Sequence, residues 1–349
     1  MKQVVESILR RAHDLNASDV HLSTDMAPVF RIHGKLRLQE GIPLSTEELS
    51  NSMKEIMGKE LFEQFLVGGE VDFSYELKDV SRFRINVYKK RGGVSAAIRL
   101  IPSKVPSIDD LNLPPILKRI SEKEQGLILV TGPTGSGKST TLASMIDYIN
   151  RTDRKHIITL EDPIEYTHSN KQCIIDQREI GSDTARFSSG LRAALRQDPD
   201  VILVGEMRDL ETISTAIAAA ETGHLVFGTL HTLSAPATIE RIVDVFPPNQ
   251  QEQIRYQLAT VLVAIISQRL FPVQTGNGRV AAAEILINNH SVKNLIRNQK
   301  LHQIPNVIQT SRELGMQTMQ MHVKDLMKQK LVTYEAVRGI LEENGHASI

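Results

Sequence analysis

The sequence contains only one cysteine, Cys173, among 349 residues. A single thiol excludes a disulfide within the chain and any zinc site that depends on several cysteine ligands. His224 and His231, which bracket an apolar segment, have no metal-ligand partners at zinc spacing, so zinc is not expected. A chain without disulfides is typical of a reducing compartment, and we expect a cytoplasmic protein.

The chain also lacks an excess of either charge, because 41 Lys and Arg residues balance 41 Asp and Glu residues. Proteins that bind nucleic acids generally carry surplus cations, which displace counterions from phosphate. The balance argues against a general nucleic-acid binder. The balance of charges does not exclude a local basic patch.

Long apolar runs are absent too: no stretch approaches the ~18 residues that a membrane span needs. The first residues, 1–11, alternate charged and apolar side chains at helical spacing, so we expect neither a signal peptide nor an anchor. Any role at a membrane would then come through a partner. There is no internal repeat or low-complexity segment, and 41% hydrophobic residues suffice for two ordinary domains.

The first hundred residues predict a small α+β domain. Apolar residues at helical spacing predict a helix that ends near Asn16, and Ser45–Glu48 has the pattern of a capping box that opens a helix toward Met57. Ser107–Asp110 indicates another helix start. Extended segments are predicted at 18–23, at 28–38 with a turn at His33-Gly34, at 71–78, and at 82–88 and 94–100 across a turn at Gly92-Gly93.

From Gly126 onward, apolar runs alternate with helices, which is typical of a parallel sheet covered on both faces. Strands are predicted at 127–131, 156–161, 201–205 and 225–230, and helices at 139–150, 186–196, 210–222 with Gly223 as its cap, and 249–267. A hairpin turn at Asn277-Gly278 leads into 279–287. After Asn289 only short helices and a polar tail are expected.

The segment Gly126–Thr141 runs from an apolar strand through a glycine-rich turn into a helix, the pattern of a phosphate-binding loop. Backbone N–H groups of the glycine-rich turn can close around phosphate oxygens at the positive end of the helix. Lys138 would reach the β- and γ-phosphates, and Ser139 would ligate Mg²⁺. The residues predicted to bind a nucleoside triphosphate are Gly132, Pro133, Thr134, Gly135, Ser136, Gly137, Lys138, Ser139 and Thr140.

Two carboxylates are candidates for catalysis and for a share in Mg²⁺ binding. Glu206 follows four apolar residues at a strand end, where nucleotide hydrolases place an acid near Mg²⁺ and the attacking water. Most such strands end in Asp-Glu, but Gly205 replaces the first acid here. Glu206 must therefore act alone or share its role, and Glu161, which closes the strand before Pro163, is the obvious second acid. Capping a turn or pairing with a surface arginine is the alternative for either acid.

His231 ends another predicted strand, on the edge that should hold Glu161 and Glu206, where it could sense the γ-phosphate. His224 precedes that strand and is a weaker candidate. No role is expected for three other histidines: His13, His290 and His322.

A guanidinium near the γ-phosphate accelerates hydrolysis of this kind, and another domain or subunit often supplies it. The candidates cluster on the alternating segments before residue 102: Arg82, Arg84, Arg91 and Arg99. The alternative for each is an ordinary solvated face.

These residues and several longer motifs resemble those of the type II/type IV secretion ATPases. Besides the phosphate loop, the matching motifs are Leu160–Tyr166, Arg192–Thr212 and Thr222–Thr232. The chain is most similar to the members of the family that retract type IV pili, and the segments that support this are Ser18–Leu22, Arg82–Asn86, Gln177–Glu179, Arg241–Phe246 and Gly315–Met319.

The resemblance implies an α/β fold in which a smaller α+β PAS-like domain (1–102) and a linker (103–112) precede a RecA-like P-loop ATPase core (113–289) and a helical C-terminal segment (290–349). It implies a homohexamer in the cytoplasm, peripheral to the inner membrane, that uses ATP and Mg²⁺ to turn a platform protein at the pilus base. The resemblance also implies that Glu206 is the main catalytic acid and that Glu161 assists it. Arginines corresponding to Arg82, Arg84 and Arg99 help to complete the site.

One segment departs from the pattern of the retraction members. Ser291–Asn298 keeps Leu295, Ile296 and Arg297 but ends in Asn298, where those members have an acid. The departure puts the coupling of hydrolysis to retraction in question. The alternative functions are a pilus assembly or type II secretion ATPase and, from another class, a DNA translocase, for which DNA would stimulate hydrolysis.

Overall fold

The computed structural model describes residues 2–342 apart from 33, 42, 103 and 277. The chain forms two units: the described residues up to Lys104 together with Glu165–Thr167, and those from Val105 to Ile164 and from His168 onward. The domain limits predicted above stay predictions.

The described residues of the N-terminal unit form an antiparallel sheet of six strands in the order β3-β2-β1-β6-β5-β4 with two helices. The elements are α1 (Lys2–Asp14), β1 (Asp19–Ser23), β2 (Val29–Ile32), β3 (Lys35–Leu38), α2 (Thr46–Gly68), β4 (Glu70–Leu77), β5 (Ser81–Lys90) and β6 (Gly93–Ile101).

The capping box that opens α2 is confirmed. The Glu48 N–H donates to Ser45 Oγ at 3.2 Å, and the Ser45 N–H donates to the Glu48 carboxylate at 2.9 Å. The helix continues past the predicted end at Met57, with a break where Gly58 adopts φ +73°. The turn between β2 and β3 lies where it was predicted, although His33 itself is outside the described residues.

Alternation along β5 decides which of its side chains form the core. Phe83, Ile85 and Val87 are fully buried on one face, and the alternate positions of the strand place Arg82 and Arg84 on the other. A period of two is what a strand with one covered face requires.

The C-terminal unit is built on a seven-stranded sheet in the order β13-β12-β7-β11-β10-β8-β9, in which β13 pairs antiparallel and the other pairs are parallel. The strands are β7 (Gly126–Thr131), β8 (His156–Glu161), β9 (Ile174–Glu179), β10 (Val201–Val204), β11 (Leu225–Leu230), β12 (Leu262–Pro272) and β13 (Arg279–Ile287).

Helices cover this sheet and make up its C-terminal extension. They are α3 (Ile116–Ser121), α4 (Lys138–Thr152), α5 (Phe187–Ala194), α6 (Leu210–Glu221), α7 (Ala235–Asp244), α8 (Pro248–Val261), α9 (His290–Arg297), α10 (Ile304–Thr310), α11 (Met319–Lys328) and α12 (Tyr334–Glu342). The predicted α/β fold class, with an α+β domain before it and a helical segment after it, is confirmed. Among the described residues, no helix has the length and apolarity to cross a membrane. The predicted polar tail lies outside the described residues.

The prediction of one helix over Asn249–Ser267 is wrong. Helix α8 ends at Val261, and the chain continues as β12, which lies between β7 and β13. The apolar run 261–266 fits a buried helix and a buried strand equally well, and only its pairing with two neighbouring strands decides. The strand β9 was not predicted, because Ile174–Glu179 is mostly polar.

The helix predicted to start at Ser107 is a turn. Its reciprocal hydrogen bonds form, because the Ser107 N–H donates to the Asp110 carboxylate at 3.0 Å and the Asp110 N–H donates to Ser107 Oγ at 3.1 Å. However, Asn112 adopts φ +52° two residues later, and Pro114 follows. A left-handed residue followed by a proline ends the helical path. The β12–β13 hairpin is present as predicted, but its Asn277 lies outside the described residues.

Candidate nucleotide-binding and catalytic site

The glycine-rich loop follows the fully buried strand β7 and leads directly into α4. Gly132 and Gly137 adopt φ +143° and +88°, conformations that side chains rarely allow. A Cβ on Gly132 would also lie 2.3 Å from the backbone oxygen of Gln268. The loop therefore has to be glycine at this position both for its conformation and for its contact with β12.

Two polar side chains of the loop fit an anionic ligand. Lys138 Nζ donates to the carbonyl oxygens of Gly132 and Pro133, at 2.8 and 3.1 Å, so the ammonium group lies over the loop. The hydroxyl of Ser136 is buried and has no hydrogen-bond partner among the described residues. Ser139 and Thr140 lie in the first turn of α4. Backbone N–H groups at a helix start, a lysine and a spare hydroxyl are groups that bind phosphate oxygens.

The predicted acids and His231 come to one edge of the sheet. Leu160 pairs with Val204, Val204 with Gly228, and Leu230 with Thr131, so β8, β10, β11 and β7 end level with one another. Glu161 ends β8, while Glu206, His231 and the glycine-rich loop follow the other three strands. Ligands of open α/β sheets bind at this carboxyl edge.

Glu206 is the centre of a small charged group. Its Oε1 lies 2.9 Å from His231 Nε2 and accepts a hydrogen bond from Arg208 Nε. The Glu206 side chain is 19% exposed, whereas Arg208 is 75% exposed. The carboxylate raises the pKa of the Arg208 guanidinium above its ordinary value, chiefly through the hydrogen bond. Arg208 was not predicted, although it follows Glu206 by only two residues.

Glu161 is held by neighbouring polar side chains. Thr159 Oγ1 and Gln177 Nε2 donate to its Oε1 at 2.7 and 3.0 Å, and Gln177 Oε1 accepts the N–H of His168 at 2.7 Å. Burial lowers the pKa of His168 to about 4, so that imidazole is neutral at pH 7. Gln177 thus orients Glu161 from the unpredicted strand β9. Its only signal in the sequence was its place in the motif Gln177–Glu179.

Gly205 explains why this strand lacks the usual first acid. A Cβ at this position would lie 2.9 Å from the backbone oxygen of Leu160 and 3.3 Å from the Cα of Glu161. The Gly205 N–H donates to that same oxygen at 2.7 Å, which fixes the approach of the two backbones. A side chain at this position would therefore require one of these two backbones to shift.

Replacing Gly205 with alanine is expected to lower the free energy of unfolding by about 1–3 kcal/mol, since the added methyl group must displace backbone atoms. Equilibrium urea unfolding measures the change. Gly339→Ala is the matched control, because nothing lies within 4 Å of its Cβ position in α12. There the same substitution should be neutral or stabilise by roughly 0.5–1 kcal/mol. A Gly205→Ala protein as stable as the wild type would contradict the close approach.

The predicted arginines lie on β5 and β6 and in the turn between them. Arg84 and Arg99, in the N-terminal unit, bind Asp72 and Asp19 through Nε at 3.0 and 3.1 Å. Arg82 shares β5 with Arg84, and Arg91 lies in the turn after β5. The role of these arginines at a nucleotide stays a prediction.

Three histidines lie away from the carboxyl edge. His224 precedes β11, and its Nδ1 lies 3.0 Å from the Ala219 carbonyl oxygen at the end of α6. His322 Nδ1 accepts the Ala283 N–H at 2.9 Å, and burial lowers its pKa. His290 is the first residue of α9.

No group of three or more His, Cys, Asp or Glu side chains in the described part of the chain could hold a metal ion.

A further polar side chain that was not predicted contacts the loop. Gln268, on β12, is 2% exposed. Its Nε2 donates to the Ser136 carbonyl oxygen at 2.9 Å, and its Oε1 accepts a hydrogen bond from Thr141 Oγ1 at 2.8 Å. The sequence does not indicate this role of Gln268, because the helix predicted over 249–267 would not place the segment beside β7.

Comparison with known proteins identifies the family. The family model "Type II/IV secretion system protein" matches residues 1–339. A "Type IV pilus retractation ATPase PilT" of Pseudomonas aeruginosa is 50% identical over 325 residues, 92% of this chain and 93% of that protein. A "Twitching motility protein" of Neisseria gonorrhoeae is 51% identical over 314 residues, 89% of this chain and 83% of that protein.

A solved structure is similar throughout. The "Crystal Structure of the Pilus Retraction Motor PilT and Bound ADP" superimposes with a TM-score of 0.89 at 50% sequence identity and covers 95% of both chains. The family match over almost the whole chain, the relatives of similar length and the shared fold lead to one conclusion: this chain belongs to the type II/IV secretion system protein family.

Proposed function

We propose that this chain is the ATPase that powers retraction of type IV pili. The observation that carries the proposal is its similarity, over nearly the full length of both chains, to a protein named as a retraction ATPase. The carboxyl edge of the sheet supports it, since a phosphate loop, two acids and a histidine meet there. A chain with these residues is equipped to bind and hydrolyse ATP.

ATP binds with its phosphates against the loop 132–137 and the start of α4. The backbone N–H groups and the helix dipole bind the phosphate oxygens, and Lys138 neutralises charge on the β- and γ-phosphates. The carbonyl contacts of Lys138 hold its ammonium group over the loop before the nucleotide arrives.

Mg²⁺ would be held by Ser139 with Glu206 and Glu161 nearby, and when bound it draws charge from the phosphate oxygens. Glu206 positions the attacking water and accepts its proton. Glu161 assists by orienting the same water or by a share in binding Mg²⁺. His231 contacts Glu206 directly, at 2.9 Å, so a change at the γ-phosphate can pass between β10 and β11 through this pair.

Conversion of hydrolysis into movement requires more than one chain. We propose a homohexamer in the cytoplasm, at the inner face of the membrane, that acts on a platform protein of the pilus machine. Arg82, Arg84 and Arg99 contribute positive charge to a nucleotide, in their own chain or in a neighbouring one. Closure over ATP and reopening after hydrolysis form the working cycle.

Deleting the gene and imaging labelled pili on living cells tests the proposal. We expect fibres that extend but do not shorten. Normal shortening in the deletion strain would contradict the proposal, and a strain without pili would indicate an assembly ATPase instead. A plasmid copy of the gene is the control and should restore shortening.

A further inference from the structure

We propose that Gln268 is a positioning residue of the nucleotide site, which holds the phosphate loop in its binding shape from the neighbouring strand β12. The inference rests on the proposed binding of ATP and ADP at this loop. It assigns to β12 a part in nucleotide affinity that neither the loop motif nor the acids at the sheet edge include.

The contacts of Gln268 join both ends of the loop segment. Its Nε2 donates to the carbonyl oxygen of Ser136 at 2.9 Å, before α4 begins, and its Oε1 accepts from Thr141 Oγ1 at 2.8 Å, inside α4. Thr141 and Gln268 are 1% and 2% exposed, so water does not compete for these bonds. The amide therefore ties the last part of the loop to the first turn of the helix.

The backbone of Gln268 adds a third contact. Strand β12 runs parallel to β7 with Ser267 opposite Thr131, so Gln268 comes level with Gly132. Its carbonyl oxygen lies 2.3 Å from the Cβ position of Gly132, and its Nε2 lies 2.9 Å from that of Gly137. Gln268 occupies the space that these two glycines leave, one at each end of the turn.

This arrangement has a function because a glycine-rich loop is intrinsically mobile. Glycine loses more conformational freedom on ordering than any other residue, and a ligand that must order a loop binds more weakly. A buried amide with both ends bonded lets the protein fold the loop in advance. Removing the amide should therefore weaken binding of the phosphate groups more than it slows hydrolysis of bound ATP.

The test uses the full chain, with ADP affinity measured by isothermal titration calorimetry and steady-state ATP hydrolysis measured alongside. Gln268→Met keeps the volume and removes both hydrogen bonds. Thr141→Val removes the hydroxyl on the helix side and is the second variant, which decides alone if Gln268→Met does not fold. Gln317→Met is the matched control, because Gln317 Nε2 donates to the Ala283 carbonyl oxygen on β13 at 2.9 Å.

We expect Gln268→Met to raise the Kd for ADP about tenfold and to raise KM for ATP similarly, with kcat changed less than about threefold. Thr141→Val should act in the same direction and add little in the double variant, since the two residues share one bond. Gln317→Met should lower the unfolding temperature without changing the Kd.

Unchanged ADP affinity in folded Gln268→Met, or an equal loss in Gln317→Met, would overturn the inference. Wild-type protein that bound no ADP would overturn the proposed function and this inference with it.

Discussion

Replacing Lys138 with alanine is expected to lower the ATPase rate by at least about 10²-fold, the size of effect that follows loss of one positioned charge at a transition state. Lys138 is the cation of the loop, and its Nζ lies over the loop on two carbonyl oxygens. Without it, the γ-phosphate would gain negative charge with no ammonium group beside it. Phosphate release by the purified full chain, at saturating ATP and Mg²⁺, measures the loss.

Lys118→Ala is the control for Lys138→Ala. Lys118 lies in the same unit, and its ammonium group pairs with the surface carboxylate of Asp109 at 2.6 Å. Its removal should leave the ATPase rate unchanged. Lys118 lies in α3, outside the phosphate loop, and the loss of an exposed ion pair changes the stability of the fold little. If Lys138→Ala hydrolysed ATP as fast as Lys118→Ala, the loop would not be the site of phosphate chemistry.

Glu206→Gln is expected to bind ATP with near wild-type affinity and to hydrolyse it about 10²–10³-fold more slowly. The amide has the shape of the carboxylate, but it cannot accept a proton from water. Comparing the ATP affinity with the single-turnover rate separates binding from chemistry. Glu211→Gln is a matched control, since Glu211 pairs with Arg192 on the surface of α6.

The same assay on Glu161→Gln decides between the two acids. Glu206 contacts His231 and Arg208, and Glu161 accepts hydrogen bonds from Thr159 and Gln177. We expect the larger loss at Glu206, because it follows the apolar strand after which nucleotide hydrolases place the acid that acts on the attacking water. A Glu206→Gln protein that turned over normally, beside a Glu161→Gln protein that did not, would reverse the assignment and make Glu161 the base.

Much of this site could be predicted from local pattern. Four of the parallel strands are short apolar runs, and each is closed or followed by a residue suited to the site: Gly132 after β7, Glu161 at the end of β8, Glu206 after β10 and His231 after β11. Because parallel strands end at the same edge, order along the chain was enough to place these residues together. The capping box of α2 was predictable for a similar reason, since its two hydrogen bonds join residues only three apart.

The parts of the fold and the site that local pattern does not predict depend on contacts between residues far apart in the sequence. Gln268 and Thr141 are 127 residues apart, and no local pattern links them. The sequence predicts a helix at the start of β12 because an apolar run fits either structure, and only tertiary pairing places this strand between β7 and β13. The sequence shows that Gly205 departs from the usual pattern, but the close approach of the Leu160 backbone follows only from the pairing of β8 with β10.

The segment Ser291–Asn298, which departs from the retraction pattern, forms most of α9 and its C-cap. Val292 and Ile296 are fully buried, and Arg297 lies over the ring of Tyr256, 5.6 Å from its centre. Asn298 Nδ2 donates to the Asn294 carbonyl oxygen at 2.9 Å, so the amide caps the helix end without needing an acid. The helix is therefore complete with Asn298.

We propose that ATP hydrolysis at the carboxyl edge of this sheet shortens pili, and imaging of labelled pili in a deletion strain tests this most directly. The strain would carry plasmid copies of either the wild-type gene or Glu206→Gln, expressed at equal levels. We predict that the wild-type copy restores shortening, while the Glu206→Gln copy leaves fibres that extend and stay long. Shortening at the normal rate with Glu206→Gln as the only copy would contradict the claim.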